Sequence, residues 1–345
     1  MSPSDAATAA PALATDATTS RVGWRARLGV AAAAAVLVAV LFLVLRTGAD
    51  DVLKWDFTFG LSFERRLRTL TAIVIAAFCQ GIATVLFHTV THNRILTPSI
   101  IGLDYLYVLI QTVGVVLVGG SFVSNSDSVP QFLAQTTAMV LFASILYRWL
   151  FSGRFASLFL LLLVGVVLGL AFRAVAEFLQ RLLSPTEFDA LMIKLYGRVS
   201  AVNEELLPYC IAACVLVAIL VWRNRNVYDV LLLGREPSIG LGVDHRRELT
   251  RALMIIALLI SISTALVGPM VFFGFIIATL AYELAGDWRH RATLPMAVLL
   301  GVIMLTVGQF VLHNVFYAAG MLTVIIEFCG GILFLAILFR RRGTM

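Results

Sequence analysis

The sequence predicts an all-α fold: a polytopic membrane bundle of about ten transmembrane helices with both termini cytoplasmic. Three observations predict it. Of 345 residues, 60% are apolar and only 13% charged, with a strongly positive mean hydropathy, which lies outside the range of soluble globular domains. Apolar runs long enough to cross a bilayer recur along the whole chain. Arginines gather between alternate runs, so the net charge of +6 is read as membrane topology, with no nucleic acid partner.

Residues 1–20 are rich in Ala, Thr, Ser and Pro, carry only Asp5 and Asp16 as charges, and are expected to be a disordered cytoplasmic tail. The basic cluster Arg21, Arg25 and Arg27 follows this tail and leads into a long apolar run, unlike a cleaved signal peptide, so the first span is expected to stay in the mature protein. Residues 21–345 form one transmembrane domain. Its spans are expected near 28–45, 67–87, 104–120, 132–150, 155–176, 206–222, 252–268, 270–285, 293–312 and 320–339. The eighth is short and follows Gly268 and Pro269 directly, which asks for a tight turn and a helix crossing only part of the bilayer.

With the N-terminus inside, the inner segments hold Arg94, Arg154, the segment 223–251, Arg289 and Arg291, and Arg340 to Arg342. The outer loops 121–131 and 313–319 hold no Lys or Arg. Two outer segments, 46–66 and 173–205, break the pattern with Arg46, Arg65, Arg66, Arg173, Arg181 and Arg198. External arginines call for a specific reason.

Segment 223–251, RNRNVYDVLLLGREPSIGLGVDHRRELTR, is a polar island with six arginines between two membrane-grade runs. Its pattern suggests two short helices broken at Gly234 and at the pair Gly240 and Gly242, a structured cytoplasmic platform for a soluble partner. In the fifth span Gly165 and Gly169 form a GxxxG pair, suited to helix packing within the chain or beside a conduit. Glu327 is a carboxylate well inside the last expected span.

Four cysteines lie in or at the edges of spans without a CxxC pair, and are read as free packing thiols with no metal site. Five scattered histidines make no HExxH, and no nucleophile elbow, paired catalytic carboxylates or phosphate-cradling loop occurs, so no catalytic residues or cofactor are expected.

Three stretches in order resemble the FecCD-like permease subunits of iron-siderophore and cobalamin ABC importers. HNRILTPSIIGLD, with Asn93, Pro98 and Gly102, resembles the family signature after the second span, although Arg94 stands where its first proline would be. GPMVFFG, with Gly268, Pro269 and Gly274, is similar to the family's G-P-x-x-F-x-G turn, although Ala278-Thr279 replace its usual Pro-His and Tyr282 its arginine. Gly234, Arg235, Glu236, Ser238, Leu241, Gly242, Arg246 and Arg247 resemble the segment that rests in a groove of the ATPase subunit. The resemblance covers roughly residues 60–340 and makes residues 21–345 a permease domain.

The resemblance implies a permease for ferric siderophore in a bacterial plasma membrane, with cobalamin or haem as alternative cargo. It implies an ATP-binding subunit, an extracytoplasmic substrate-binding protein and a second related permease, with a heterodimer favoured over a homodimer. Arg65 and Arg68, in ERRLRTL, match the family's R-x-x-R that docks carboxylates of the binding protein. Their spacing puts both on one helical face, and the competing reading is an interfacial pair satisfied by lipid phosphates. Two other classes were weighed: an ion-coupled secondary transporter, disfavoured because span centres hold almost no Asp, Glu, Lys or Arg, and a membrane enzyme, which would need catalytic side chains converging at one depth.

Overall fold

A computed structural model describes residues 23–47, 53–55, 61–119, 122, 128–152, 158–196 and 199–314, and then 325–326, 328, 330–332 and 335. The expected tail 1–20, Arg154, Glu327, Cys329 and most of the tenth span lie outside the described residues. The helices are α1 Trp24–Val44, α2 Leu61–Thr91, α3 Leu103–Val118, α4 Val129–Ser152, α5 Leu158–Gln180, α6 Pro185–Leu195, α7 Leu207–Arg223, α8 Arg225–Leu231, α9 Arg235–Gly240, α10 His245–Val267, α11 Phe273–Leu284 and α12 His290–Asn314. Among the described residues seven helices are long and apolar enough to cross a membrane, and α3 and α11 are shorter apolar helices. In chain order these are the first nine expected spans.

Helix α2 is the axis, packed against α10, α11 and α12, and 78% of its most apolar window is buried. Small residues make that possible, since helices associating in lipid gain mainly from close backbone approach. Ala72, Ala76, Ala77, Cys79 and Ala83 are fully buried along it. A Cβ on Gly81 would come within 3.3 Å of the α12 backbone at Ala297, and one on Gly301 within 3.0 Å of Ala77. Cys79 Sγ lies 3.7 Å from Cys214 Sγ of α7, and both thiols are free.

Contacts along α2 also set depth. Arg68 pairs with Glu204 near one end, Gln80 Nε2 donates to Ser263 Oγ of α10 at 3.2 Å, Gly274 abuts Thr84, and Thr89 meets His290 near the other end. At about 1.5 Å per residue, Gln80 lies roughly 18 Å from Arg68 and roughly 14 Å from Thr89. The turn between α10 and α11 is therefore buried mid-bundle. Gly268 opens it at φ 97 and ψ 173, a region essentially restricted to glycine, and Pro269 stops the helix from continuing. Helix α11, twelve residues and about 18 Å long, crosses only part of a hydrocarbon core about 30 Å thick.

A second break faces the first. Pro98 opens a 3-10 turn, Pro98–Ile101, and Gly102 at φ 87 hands the chain to α3. This turn presses on α5: a Cβ on Gly102 would meet Gly169 Cα at 2.9 Å, and one on Gly165 would meet Ile101 Cα at 3.0 Å. The GxxxG pair thus packs within the chain. Asp104, at the start of α3, is only 3% exposed, and its Oδ1 accepts from Thr264 Oγ1 of α10 at 2.8 Å. Its Oδ2 has no partner among the described residues. Asp104 is thus a carboxylate enclosed in the bundle at the first turn of α3.

Two elements lie outside the sequence expectation. Leu45–Thr47 (β1) and Leu53–Trp55 (β2) pair antiparallel after α1, a small addition to an otherwise helical chain. Helix α6 occupies the outer segment 173–205, started by Ser184, whose hydroxyl accepts from the Glu187 backbone while Glu187 reaches back.

Gly102→Ala is expected to destabilise the protein by about 1–3 kcal/mol through overpacking against α5, read as a lower unfolding midpoint in detergent. Gly29→Ala, which meets open space on α1, should leave the midpoint unchanged or raise it. Equal midpoints for both variants would remove the close approach as a constraint.

Candidate functional site

The platform is built from α8, α9 and the start of α10. Gly234 ends the first part at φ 97 and ψ -180, where only glycine sits without strain, and Gly242 at φ 81 lets the chain turn into α10. A Cβ at either glycine would meet open space, so the requirement there is backbone conformation. The Asp244 side chain accepts from Arg247 N at 3.1 Å and caps α10. Between the glycines Ser238 is fully buried; its hydroxyl bonds the Gly234 carbonyl at 2.5 Å, with the Val230 carbonyl at 3.1 Å. It ties the end of α8 to the start of α9 by adding a side-chain bond to carbonyls that already accept from Leu233 N and Ser238 N.

The outer surface of this unit is mixed. Leu233, Ile239 and Leu241 are more than half exposed, and Arg235, Glu236, Arg246 and Arg247 surround them. Exposed aliphatic residues grouped on a polar island mark a contact surface. Of the residues assigned from sequence to coupling, Gly234, Arg235, Glu236, Leu241, Gly242, Arg246 and Arg247 lie at or near this surface. Ser238 does not; it is an internal pin and cannot touch a partner.

The platform is fastened to the bundle by residues that sequence reasoning missed. Asp229 Oδ1 accepts from the backbone N–H of His290 at 2.8 Å and lies 2.6 Å from its ring Nδ1, while His290 Nε2 lies 2.8 Å from the Thr89 hydroxyl of α2. His290 is 1% exposed, and Tyr228 packs beside it with ring centroids 5.8 Å apart. Burial works to raise the Asp229 carboxyl, but the His290 hydrogen bonds outweigh it and hold the group below the usual carboxylate range. A direct polar chain therefore runs from α8 through the first residue of α12 to α2.

Beside this latch a cavity of about 550 Å³ is lined by residues including His88, His92, Arg94, Leu233, Tyr282 and Trp288. His88 Nε2 lies 2.9 Å from the Leu96 carbonyl, so it carries the proton, and Nδ1 meets the Tyr282 hydroxyl at 3.2 Å. The Arg94 guanidinium stacks 4.4 Å from the Tyr282 ring centroid. Arg94 and Tyr282 are two of the positions where the chain departs from the family signatures, and the structure brings them together.

The signature residues shape turns. Asn93 Oδ1 accepts from Ile95 N at 2.9 Å, Pro98 and Gly102 frame the 3-10 turn, and Gly268, Pro269 and Gly274 form the mid-bundle break. At the opposite end, the three neighbouring arginines separate into different roles. Arg66 Nη1 donates to the carbonyls of Phe42, Leu43 and Leu45, closing the end of α1, with the shortest bond 2.7 Å. Arg68 lies 2.6 Å from Glu204, whereas Arg65 is exposed. Arg173 pairs with Glu177 at 2.6 Å, a structural reason for another external arginine.

A model of the FecCD transport family matches residues 30–340. The petrobactin import system permease protein FatC of Bacillus anthracis is 40% identical over 280 residues, covering 81% of this chain and 79% of that protein. The petrobactin import system permease protein YclO of Bacillus subtilis (strain 168) is 37% identical over 294 residues, covering 85% and 92%. Among solved structures, a metal-chelate type ABC transporter in an inward-facing conformation superposes with a TM-score of 0.77 at 19% identity, covering 91% of this chain and 98% of that one.

Asp229→Ala removes the acceptor for two His290 donors and is expected to loosen the platform by about 1–3 kcal/mol. Hydrogen exchange of residues 225–240 should quicken while the core of α10 is unchanged; unchanged exchange at 225–240 would remove the latch. Because the folded carboxyl is held low, its contribution is present above the unfolded carboxylate pKa and is lost as pH falls through the folded value. The same exchange should therefore quicken only in acid.

Proposed function

This chain belongs to the FecCD transport family, and from that premise we propose that it is the membrane permease subunit of an ATP-driven importer of ferric siderophores. The single observation that carries the cargo class is its similarity to two petrobactin import permeases across most of its length. Petrobactin or a related ferric chelate is the proposed substrate, delivered by an extracytoplasmic binding protein across the plasma membrane of a bacterium. A second related permease completes the pathway, a heterodimer being favoured. ATP hydrolysis belongs to a separate subunit.

The geometry supports a division of labour between the two ends. On the cytoplasmic side the platform offers Leu233, Ile239 and Leu241 as apolar contacts, with Arg235, Glu236, Arg246 and Arg247 to orient an ATPase subunit. Its backbone is held by Gly234, Ser238 and Gly242. Movement imposed there reaches α2 through Asp229, His290 and Thr89, because packed helices shift as bodies and do not deform continuously. On the outer side Arg65 is the available carboxylate ligand, and Arg68 reaches a partner by exchanging Glu204 for it.

Deleting this chain from a producing bacterium is expected to abolish uptake of radioactive iron supplied as ferric petrobactin, with recovery on re-expression; unaffected uptake would overturn the assignment. In the assembled transporter, Leu241→Glu and Gly234→Val should each strip the ATPase subunit from the purified complex. The glycine change forces strain of about 1–3 kcal/mol. Full co-purification of both variants would remove the platform from the interface. Arg65→Glu should weaken binding-protein docking on the order of tenfold or more, as expected for loss of a charged interface contact. Arg68→Glu should weaken it and also free Glu204; normal docking in both variants would assign these arginines to lipid.

A further inference from the structure

A basic, tryptophan-bounded cleft lies beside the platform and shares Leu233 with the surface proposed for the ATPase, while its arginines lie outside that surface. Its volume is about 410 Å³, and Arg225, Arg289, Arg291 and Trp288 contribute to its lining. Among the described residues the carboxylate in that lining is Asp229, whose Oδ1 is already committed to His290. Each arginine is stacked on an indole: Arg225 at 4.8 Å from the Trp222 centroid, Arg289 at 5.7 Å from Trp288, and Arg291 at 4.9 Å from Trp24. Arg225 also donates to the Trp222 carbonyl at 2.7 Å, and Arg291 pairs with Asp287 at 3.0 Å. Arg289 is exposed; among the described residues it forms no close ion pair, and its nearby charge helps hold the Asp229 carboxylate low.

The position identifies the ligand. Trp24 begins α1, Trp222 ends α7 and Trp288 precedes α12, so three of the chain's five tryptophans gather where three membrane helices meet the platform side. Trp222 and Trp288 are about half exposed, at 48% and 54%. Tryptophan concentrates at headgroup depth, and basic pockets between helices at that depth take anionic headgroups. Only 11% of the apolar window of α1 and 28% of that of α7 are buried, which leaves open helix faces for acyl chains directly beside the cleft. Stacking on the indoles holds the guanidinium planes in place and leaves N–H edges for phosphate oxygens.

We propose that this cleft binds the phosphodiester of an anionic phospholipid in the platform-side leaflet, with Arg225 and Arg289 as its principal ligands. Because the cleft joins α8 to the start of α12, the lipid would brace the platform against the bundle. The site stands on the cleft itself and does not depend on which chelate is transported.

The test uses the purified full chain in detergent, with phosphatidylglycerol, phosphatidylcholine of the same acyl chains, or inorganic phosphate added. Native mass spectrometry and thermal unfolding are the readouts. Phosphatidylglycerol should be retained and raise the unfolding midpoint, whereas phosphatidylcholine and inorganic phosphate should do neither. Arg225→Gln with Arg289→Gln should weaken phosphatidylglycerol retention on the order of tenfold. The Lys pair should retain most of it, and Arg173→Gln, at the other end of the molecule, should bind like the unaltered chain. Arg289→Gln alone, at an exposed position, gives a partial loss should the double variant fold poorly. Equal retention of both lipids, unchanged binding by the Gln variants, or the same stabilisation from inorganic phosphate would overturn the proposal. Expulsion of the lipid when the complete transporter assembles would give the cleft to a protein partner instead.

Discussion

The polar chain from Asp229 through His290 to Thr89 is the interaction on which the rest of the molecule depends. A platform of two short helices buries little apolar surface: α8 contributes Tyr228 and Leu231 to the core, and the buried member of α9 is Ser238. What positions it is a carboxylate gripping both the backbone and the ring of the first residue of α12. That residue touches α2, the helix against which α10, α11 and α12 pack. With this link and the burial of Tyr228 and Leu231, the platform is held to α2 as part of the bundle.

The second constraint is close packing around chain breaks inside the bundle. Gly102 seats the 3-10 turn against Gly165 and Gly169, Gly274 sits against Thr84, and Gly81 and Gly301 bring α2 and α12 together. Breaks at this depth expose backbone groups that lipid cannot satisfy, so they are tolerated only where protein encloses them. The buried polar side chains of Gln80, Ser263, Thr264 and Asp104 lie around those breaks. Rigid halves meeting at glycine turns form a structure suited to hinge as bodies.

Local features were legible in the sequence because they depend on neighbours in the chain. The apolar runs located the spans, Gly234 and Gly242 marked the platform turns, and Gly268 with Pro269 marked the short eighth helix. The capping box from Ser184 to Glu187 was equally readable and would have revealed α6. Features made by distant residues were not legible. Asp229 and His290 are 61 positions apart, and His290 and Thr89 are 201 apart. The burial of Asp104 was not legible because its partner, Thr264, lies 160 positions away on another helix. Ser238 resembled a contact residue by position in a motif, whereas its burial shows it to be internal. Arg66 looked like one of three equivalent arginines until the end of α1 supplied its acceptors.

The central claim is that platform and α2 move as one body. Spin labels placed at the exposed positions Asn226 and His92, one on α8 of the platform and one just past the end of α2, measure this directly in the assembled transporter. The account predicts the same distance distribution without nucleotide and with ATP trapped, even as distances across the permease pair change. A distribution that shifts or broadens between the two states would show the platform swinging independently of α2, and would contradict it.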